Sequence, residues 1–135
     1  MNYLVCGTTN RSALVQGFFV KYGDGGVDIE PIAHLYKTQV YQLAGQLGVI
    51  EDIVQRKPSP DTFSLETSDE EFYFRMPYDT LDLLLYAREN KVPIENVCGA
   101  LRLSEEQVKR AFRNFQAKYN ATQHLRHLPP SFPLG

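Results

Sequence analysis

Between residues 21 and 37, five charged side chains surround a cluster of glycines: Lys21, Asp24, Asp28 and Glu30 flank Gly23, Gly25 and Gly26, and Lys37 follows. Three glycines in four positions rule out a helix interior or a packed strand, because glycine loses the most backbone entropy on ordering and buries no side chain. The stretch is therefore a loop. Lys37 falls in the first turn of the next apolar-periodic segment, where a cation opposes the helix dipole unless something anionic lies near. Beside an acidic glycine loop, such a lysine could hold a charged ligand. Glycine and aspartate also make turns whose charges are merely solvated. Two hydroxyls raise the same choice. Ser59 follows the basic pair Arg56-Lys57 and sits between Pro58 and Pro60, so it could receive a phosphate or lie on a plain surface. Thr8 follows a short apolar run, where a hydroxyl could meet a nucleotide or bond to backbone.

These residues need elements to position them. Tyr3-Leu4-Val5-Cys6, closed by Gly7, reads as a short buried strand. In open α/β sheets ligands gather at the carboxyl ends of strands, which is where Gly7-Thr8-Thr9-Asn10 would lie. Thr9 or Asn10 can cap a helix over residues 11–22, with Leu14, Val15, Phe18, Phe19 and Tyr22 on one face and Gly23 ending it. A second helix is predicted over 36–47, with Val40, Leu43, Ala44 and Leu47 in register and Gly48 as its stop. A short third helix covers 51–55. Residues 62–77 are polar and acidic, then aromatic, and read as a mobile connection. Beyond residue 78 the pattern is helical. Leu81, Leu84 and Leu85 stack in one helix, Pro93 opens another, and Ser104 with Gln107 forms a capping box for a third that carries Val108, Ala111, Phe112, Phe115 and Tyr119. The pair after Pro93, with Lys109, Arg110, Arg113 and Lys118, is similar to a helix-turn-helix. It is read as a packed corner with a solvated face, with DNA binding as the alternative. The tail, residues 122–130, is expected to lie across another surface.

The chain has 135 residues, 43% of them hydrophobic and 12% aromatic, which suits one globular unit with a buried core. Its formal net charge of −2 gives no general pull toward nucleic acid or an anionic membrane. Two cysteines, Cys6 and Cys98, are too few for a disulfide framework or a zinc site. They read as buried thiols in a reducing cytoplasm, and no apolar run approaches the length of a membrane span.

Lys21-Tyr22-Gly23-Asp24-Gly25-Gly26-x-Asp28, followed by Leu35-Tyr36-Lys37-Thr38-Gln39-Val40, resembles the deamido-NAD and ATP-binding stretch of the NAD synthetases. The resemblance extends to Cys6-Gly7-Thr8-Thr9-Asn10-Arg11-Ser12, to Arg56-Lys57-Pro58-Ser59-Pro60-Asp61 and to Leu128-Pro129-Pro130. It covers the C-terminal half of that family. It implies an α-rich α/β fold, the C-terminal portion of an adenine-nucleotide α-hydrolase-like doubly wound domain, as one unit of three parts: residues 1–61 for nucleotide and substrate, a flexible loop 62–77, and a helical part 78–135. It implies ATP contacts at Thr8, Lys37 and Ser59, and deamido-NAD contacts at Lys21, Asp24, Asp28, His124 and Arg126. The implied reaction is ATP-dependent amidation of deamido-NAD through an adenylate, with ammonia as the second substrate. Mg²⁺ is the implied cofactor, although its ligation by this chain is in doubt.

Three departures bear on that reading. The family's Ser-Gly-Gly-x-Asp-Ser pyrophosphate loop is not among these residues, Ala13 stands where the family commonly has a magnesium-binding Glu, and the tail motif His-Lys-Arg is His124-Leu125-Arg126. A methyl group cannot coordinate a hard cation. The chain is thus expected to be inactive by itself, either as one piece of a longer synthetase or as a shortened relative that binds without catalysing. No catalytic residue is assigned. A homodimer is expected, because an orphan edge strand invites a second chain. Neither a membrane nor nucleic acid is expected as a partner.

Overall fold

The leucine spacing of residues 81–85 is that of a helix with one apolar stripe, and α4 (Tyr78–Glu89) forms there. A computed structural model describes residues 3–60, 64 and 66–131. Leu81, Leu84 and Leu85 are at most 1% exposed. They share a core with Phe74, with Val97 of α5 (Ile94–Leu101) and with Val108, Ala111 and Phe115 of α6 (Glu105–Ala121). Full burial of one such large side chain is worth about 1.5–3 kcal/mol, so this stripe binds three helices together. The start of α6 follows its sequence signature: Ser104 Oγ accepts from Gln107 N–H, and Gln107 Oε1 accepts from Ser104 N–H. The α5–α6 pair is a packed corner on α4, and Lys109 on its basic side is already paired with Glu105.

Three further helices form the N-terminal part: α1 (Arg11–Gln16), α2 (Lys37–Gln46) and α3 (Glu51–Val54). Asn10 caps α1 by accepting from Ala13 N–H at 3.1 Å. α1 is half the expected length. Gly17 takes φ 71, and its N–H and that of Phe18 turn back to Leu14 O and Ala13 O. A Cβ on Gly17 would overlap the side chain of Thr122, so the close approach of the end of α6 requires a glycine here. The apolar pattern runs past the stop because Phe18 still faces the core, stacked on Tyr73 at 4.7 Å, whereas Tyr22 is exposed.

The expected strand over residues 3–6 reduces, among the described residues, to one parallel bridge between Cys6 and Ile29. Gly7 N–H donates to Ile29 O at 2.7 Å and Ile29 N–H to Val5 O at 3.2 Å, so the segment has a partner inside the chain. Tyr3, Leu4 and Val5 are exposed rather than buried. The two cysteines also depart from expectation, since Cys6 is exposed and Cys98 only partly buried. In the segment expected as a loop, residues 62, 63 and 65 lie outside the described residues. Its later part is a π-helical turn, Glu70–Phe74, with Phe74 only 2% exposed. The tail makes a 3₁₀ turn, Gln123–Arg126, and folds back on the chain's own N-terminal part.

A buried polar node joins α1, α2 and α4. Ser12 and Asp82 are 0% and 3% exposed. Ser12 Oγ donates to Asp82 Oδ1 at 2.5 Å and accepts from Lys37 N–H at 2.9 Å, while Asp82 Oδ2 accepts from Thr38 N–H at 2.8 Å. Two of the open donors of α2 are thus satisfied from other helices, and a carboxylate lies at its positive end. Removing the Asp82 carboxylate would leave Thr38 N–H and the Ser12 O–H without acceptors. Asp82→Ala should cost about 2–4 kcal/mol in denaturant unfolding.

Lys118 of α6 donates to Tyr73 O at 2.7 Å and lies 4.3 Å from the Tyr73 ring centroid. Burial, and secondarily the charge of Arg75, pushes its pKa down from 10.5 to about 8. Between those values the unfolded chain holds the proton and the folded chain does not, so this group's contribution to stability rises with pH across that window. Melting temperatures measured from pH 8 to 9.5 should rise more steeply in the parent chain than in Lys118→Met, in which the contribution of Lys37 remains.

Candidate functional site

Lys37 is set by the way α2 begins. Tyr36 N–H donates to Gln39 Oε1, Tyr36 Oη donates to Glu89 Oε2 at 2.5 Å, and Arg11 Nε donates to the same oxygen at 2.9 Å. Burial first, then the Glu89 carboxylate, pushes the Tyr36 hydroxyl up to about 12, so it remains a donor. With the entry to α2 held there and at Ser12, the Lys37 side chain is half-buried. Its Nζ lies 5.3 Å from the Tyr41 ring centroid and 5.9 Å from that of Tyr78. Burial lowers its pKa, and Asp69 and then Asp82 partly restore it. The anion that a lysine at a helix start calls for is therefore supplied in part by the chain itself.

A groove of about 370 Å³ opens beside this ammonium, and Lys37 and Ser59 line it together with Tyr41, Arg56, Lys57 and Asp69. The Pro58-Ser59-Pro60 segment is kept there by Asp69, whose N–H donates to Pro58 O at 3.0 Å. Two of the three residues expected at ATP thus share one groove. The third, Thr8, is exposed just past the Cys6–Ile29 bridge and does not line this groove.

A second groove of about 550 Å³ brings together Asp28 and Arg126, with Leu14, Phe19, Ile29 and Leu125 as its apolar walls. The other residues expected at deamido-NAD lie around it in sequence but do structural work. Asp24 Oδ1 accepts from Val20 N–H at 2.7 Å and closes the turn of the glycine loop. Asp28 Oδ2 accepts from Val5 N–H at 2.8 Å and braces the bridge. Lys21 Nζ donates to the carbonyls of His124 at 2.9 Å and His127 at 2.5 Å, so His124 contributes its backbone to this contact. Arg126 donates to Leu14 O, Tyr119 O and Thr122 Oγ1 and stacks over the Tyr119 ring at 4.2 Å.

Sequence reasoning passed over Asp69, Asp82, Ser12 and Glu89. Asp82 carried a signal, a lone carboxylate inside the run Leu81-Asp82-Leu83-Leu84-Leu85. Asp69 carried none, being one acid among several in an acidic stretch. Among the described residues no group of three or more His, Cys, Asp or Glu is placed to hold a metal. No described helix is long and apolar enough to cross a membrane.

One groove is lined by cations and a hydroxyl, and a second by a carboxylate, a guanidinium and apolar walls, groups that suit phosphate and ring moieties respectively. The NAD synthase family model matches residues 1–129, and the chain belongs to the NAD synthase family. It is 52% identical over 130 residues to an NH₃-dependent NAD⁺ synthetase of Rhizobium meliloti, covering 96% of this chain and 39% of that protein. To the NH₃-dependent NAD⁺ synthetase of Sulfolobus acidocaldarius it is 45% identical over 135 residues, covering 99% and 46%. The fold resembles the structure of an NMN synthetase from Francisella tularensis with a TM-score of 0.72 at 26% identity, covering 99% of this chain and 48% of that one. The chain thus spans less than half the length of these relatives.

Proposed function

We propose that the chain forms the ATP- and deamido-NAD-contacting portion of an NH₃-dependent NAD synthase, a ligase that amidates deamido-NAD. The observation that most supports this is the convergence of Lys37 and Ser59 on one groove. In this reading the nicotinate carboxylate attacks the α-phosphorus of ATP, pyrophosphate leaves, and ammonia displaces AMP from the adenylate. Lys37 supplies a fixed ammonium for phosphate oxygens, Ser59 a hydroxyl from the facing segment, and Thr8 a further ATP contact. Lys21, Asp24, Asp28, His124 and Arg126 hold deamido-NAD around the second groove, and their present backbone contacts keep the loop and the tail in place to receive it.

The described elements are taken as the C-terminal portion of a doubly wound α/β domain acting in the cytoplasm. Mg²⁺ is expected to arrive on the phosphates of ATP. Ala13 is buried at 9% exposure, and its methyl group offers no metal ligand. The exposed Tyr3, Leu4 and Val5 beside a single bridge support association with a second copy. Sedimentation at micromolar concentration should give a dimer, and a monomer would count against that part of the reading.

Positioning of reactants supplies up to roughly 7–11 kcal/mol in well-oriented systems. The Ser-Gly-Gly-x-Asp-Ser loop is absent from these 135 residues, so the chain by itself should bind nucleotide weakly and turn nothing over. Purified chain incubated with Mg-ATP, deamido-NAD and ammonium should release no AMP or NAD, and turnover at an ordinary enzyme rate would refute this. In calorimetry Lys37→Ala should weaken ATP binding about tenfold or more, as loss of a charge-assisted contact requires. Unchanged affinity would remove Lys37 from the site.

A further inference from the structure

We propose that Asp69, with Tyr78 behind it, is a positioning residue for the Lys37 groove: its carboxylate shares the groove with the Lys37 ammonium, and its backbone holds the Ser59 segment against α2. The inference rests on the ATP reading of that groove and goes beyond it. Asp69 is 8% exposed although it stands in an acidic surface stretch. It lines the groove with Lys37 and Ser59, and its N–H donates to Pro58 O at 3.0 Å. Tyr78 Oη donates to Asp69 Oδ2 at 3.2 Å in the interior. Tyr78 N–H in turn donates to Glu70 Oε1 at 2.7 Å, so the π-helical turn and the start of α4 are clasped together. The clasp has a rigid base. Tyr78 is 6% exposed against Phe74, and the turn is tied at its other end by Lys118 at Tyr73 O. Arg75 closes the turn at φ 59, a strained value for a residue with a side chain, and π-helical turns often occur at functional sites.

The chemistry follows from what faces Lys37. An ammonium between two tyrosine rings loses hydration, and that burial lowers its pKa. Asp69 and Asp82 oppose that fall, Asp69 the more strongly. Asp82 bonds to Ser12 and to Thr38 N–H, and Asp69 is the carboxylate that lines the groove. The other groups near the groove add no second base: Tyr41 and Tyr78 are pushed up by burial and stay neutral donors, and Arg56 and Lys57 are cations. Glu70 is occupied with Tyr78 N–H. Burial lowers the Lys37 titration, and the Asp69 carboxylate on the same groove opposes that fall and so helps keep Lys37 able to attract phosphate. Removing an opposite charge from the same groove lowers the titration of an ammonium there.

The test follows the Lys37 side chain directly. The Lys37 ¹³Cε resonance of the ligand-free chain, assigned by its loss in Lys37→Arg, is titrated in parent chain and in Asp69→Asn, and ATP affinity is measured over the same pH range. In Asp69→Asn the Lys37 titration should move down by about one pH unit, and the alkaline loss of ATP binding should move with it. Below that limb the variant should bind ATP at least as well as the parent, because a repelling carboxylate is gone. Tyr78→Phe, which keeps the ring and loses the donor, should shift both curves in the same direction by less, and it serves should Asp69→Asn fail to fold. A purely structural role would weaken binding equally at every pH without moving the limb, and that result overturns the proposal, as does an unmoved Lys37 titration. If Lys37 titrates lower in Asp69→Asn while Lys37→Ala binds ATP like the parent, the ATP reading falls and the electrostatic coupling stands.

Discussion

The Ser12–Asp82 pair at the start of α2 is the constraint on which the remaining geometry depends. It is buried, it uses both carboxylate oxygens, and it fixes two consecutive N–H groups, those of Lys37 and Thr38. A half-satisfied polar node in an apolar interior costs more than none at all, so α1, α2 and α4 must meet in this one arrangement. The direction of the Lys37 side chain follows from where its backbone is held. Tyr36, bonded to Glu89 one residue earlier, removes the remaining freedom of the entry.

The same economy appears in the glycine loop. Its charges would be poorly placed for a ligand if the loop were slack, and each is used to tighten it: Asp24 closes a turn, Asp28 braces the bridge, and Lys21 draws in the tail. The second groove is bounded by segments distant in sequence, residues 25–30 and 125–126, that meet only because Lys21 and Arg126 bind backbone carbonyls across that gap. In the proposed reading these side chains also brace the fold, so they need little reorganisation before a ligand arrives.

Weight is distributed unevenly over the molecule. The helical part has the dense core of α4, α5 and α6, whereas α2 and α3 contain no fully buried residue, and Leu47, Ile50 and Ile53 are exposed. The N-terminal part therefore relies on a few polar fixings to stay in register with the core. Phe18 on Tyr73, Tyr73 Oη on Gln16 O, and the Gly17–Thr122 approach anchor α1 to that core.

Much of this was legible in the sequence by itself. Period and capping rules located α4, α5 and α6 and the start of α1, because those signals are local: leucines three and four apart, Ser104 with Gln107, Asn10 before an apolar face. The pairing of Lys37 with Ser59, and of Asp28 with Arg126, was also expected, through the motif resemblance. The early end of α1 was not, since the apolar spacing continues through Phe18 and only the proximity of Thr122 makes Gly17 a stop. Nor was the exposure of Tyr3, Leu4 and Val5, as an apolar run looks the same whether or not a sheet covers it. Asp69 shows the limit most clearly. Among its acidic neighbours nothing in the sequence marks it, and its placement in the Lys37 groove depends on a π-helical turn held by contacts up to 57 residues apart in the chain. Residue type and spacing determine which groups can do chemistry; which of them share a low-dielectric groove, and with what charge, depends on long-range packing that only the tertiary structure decides.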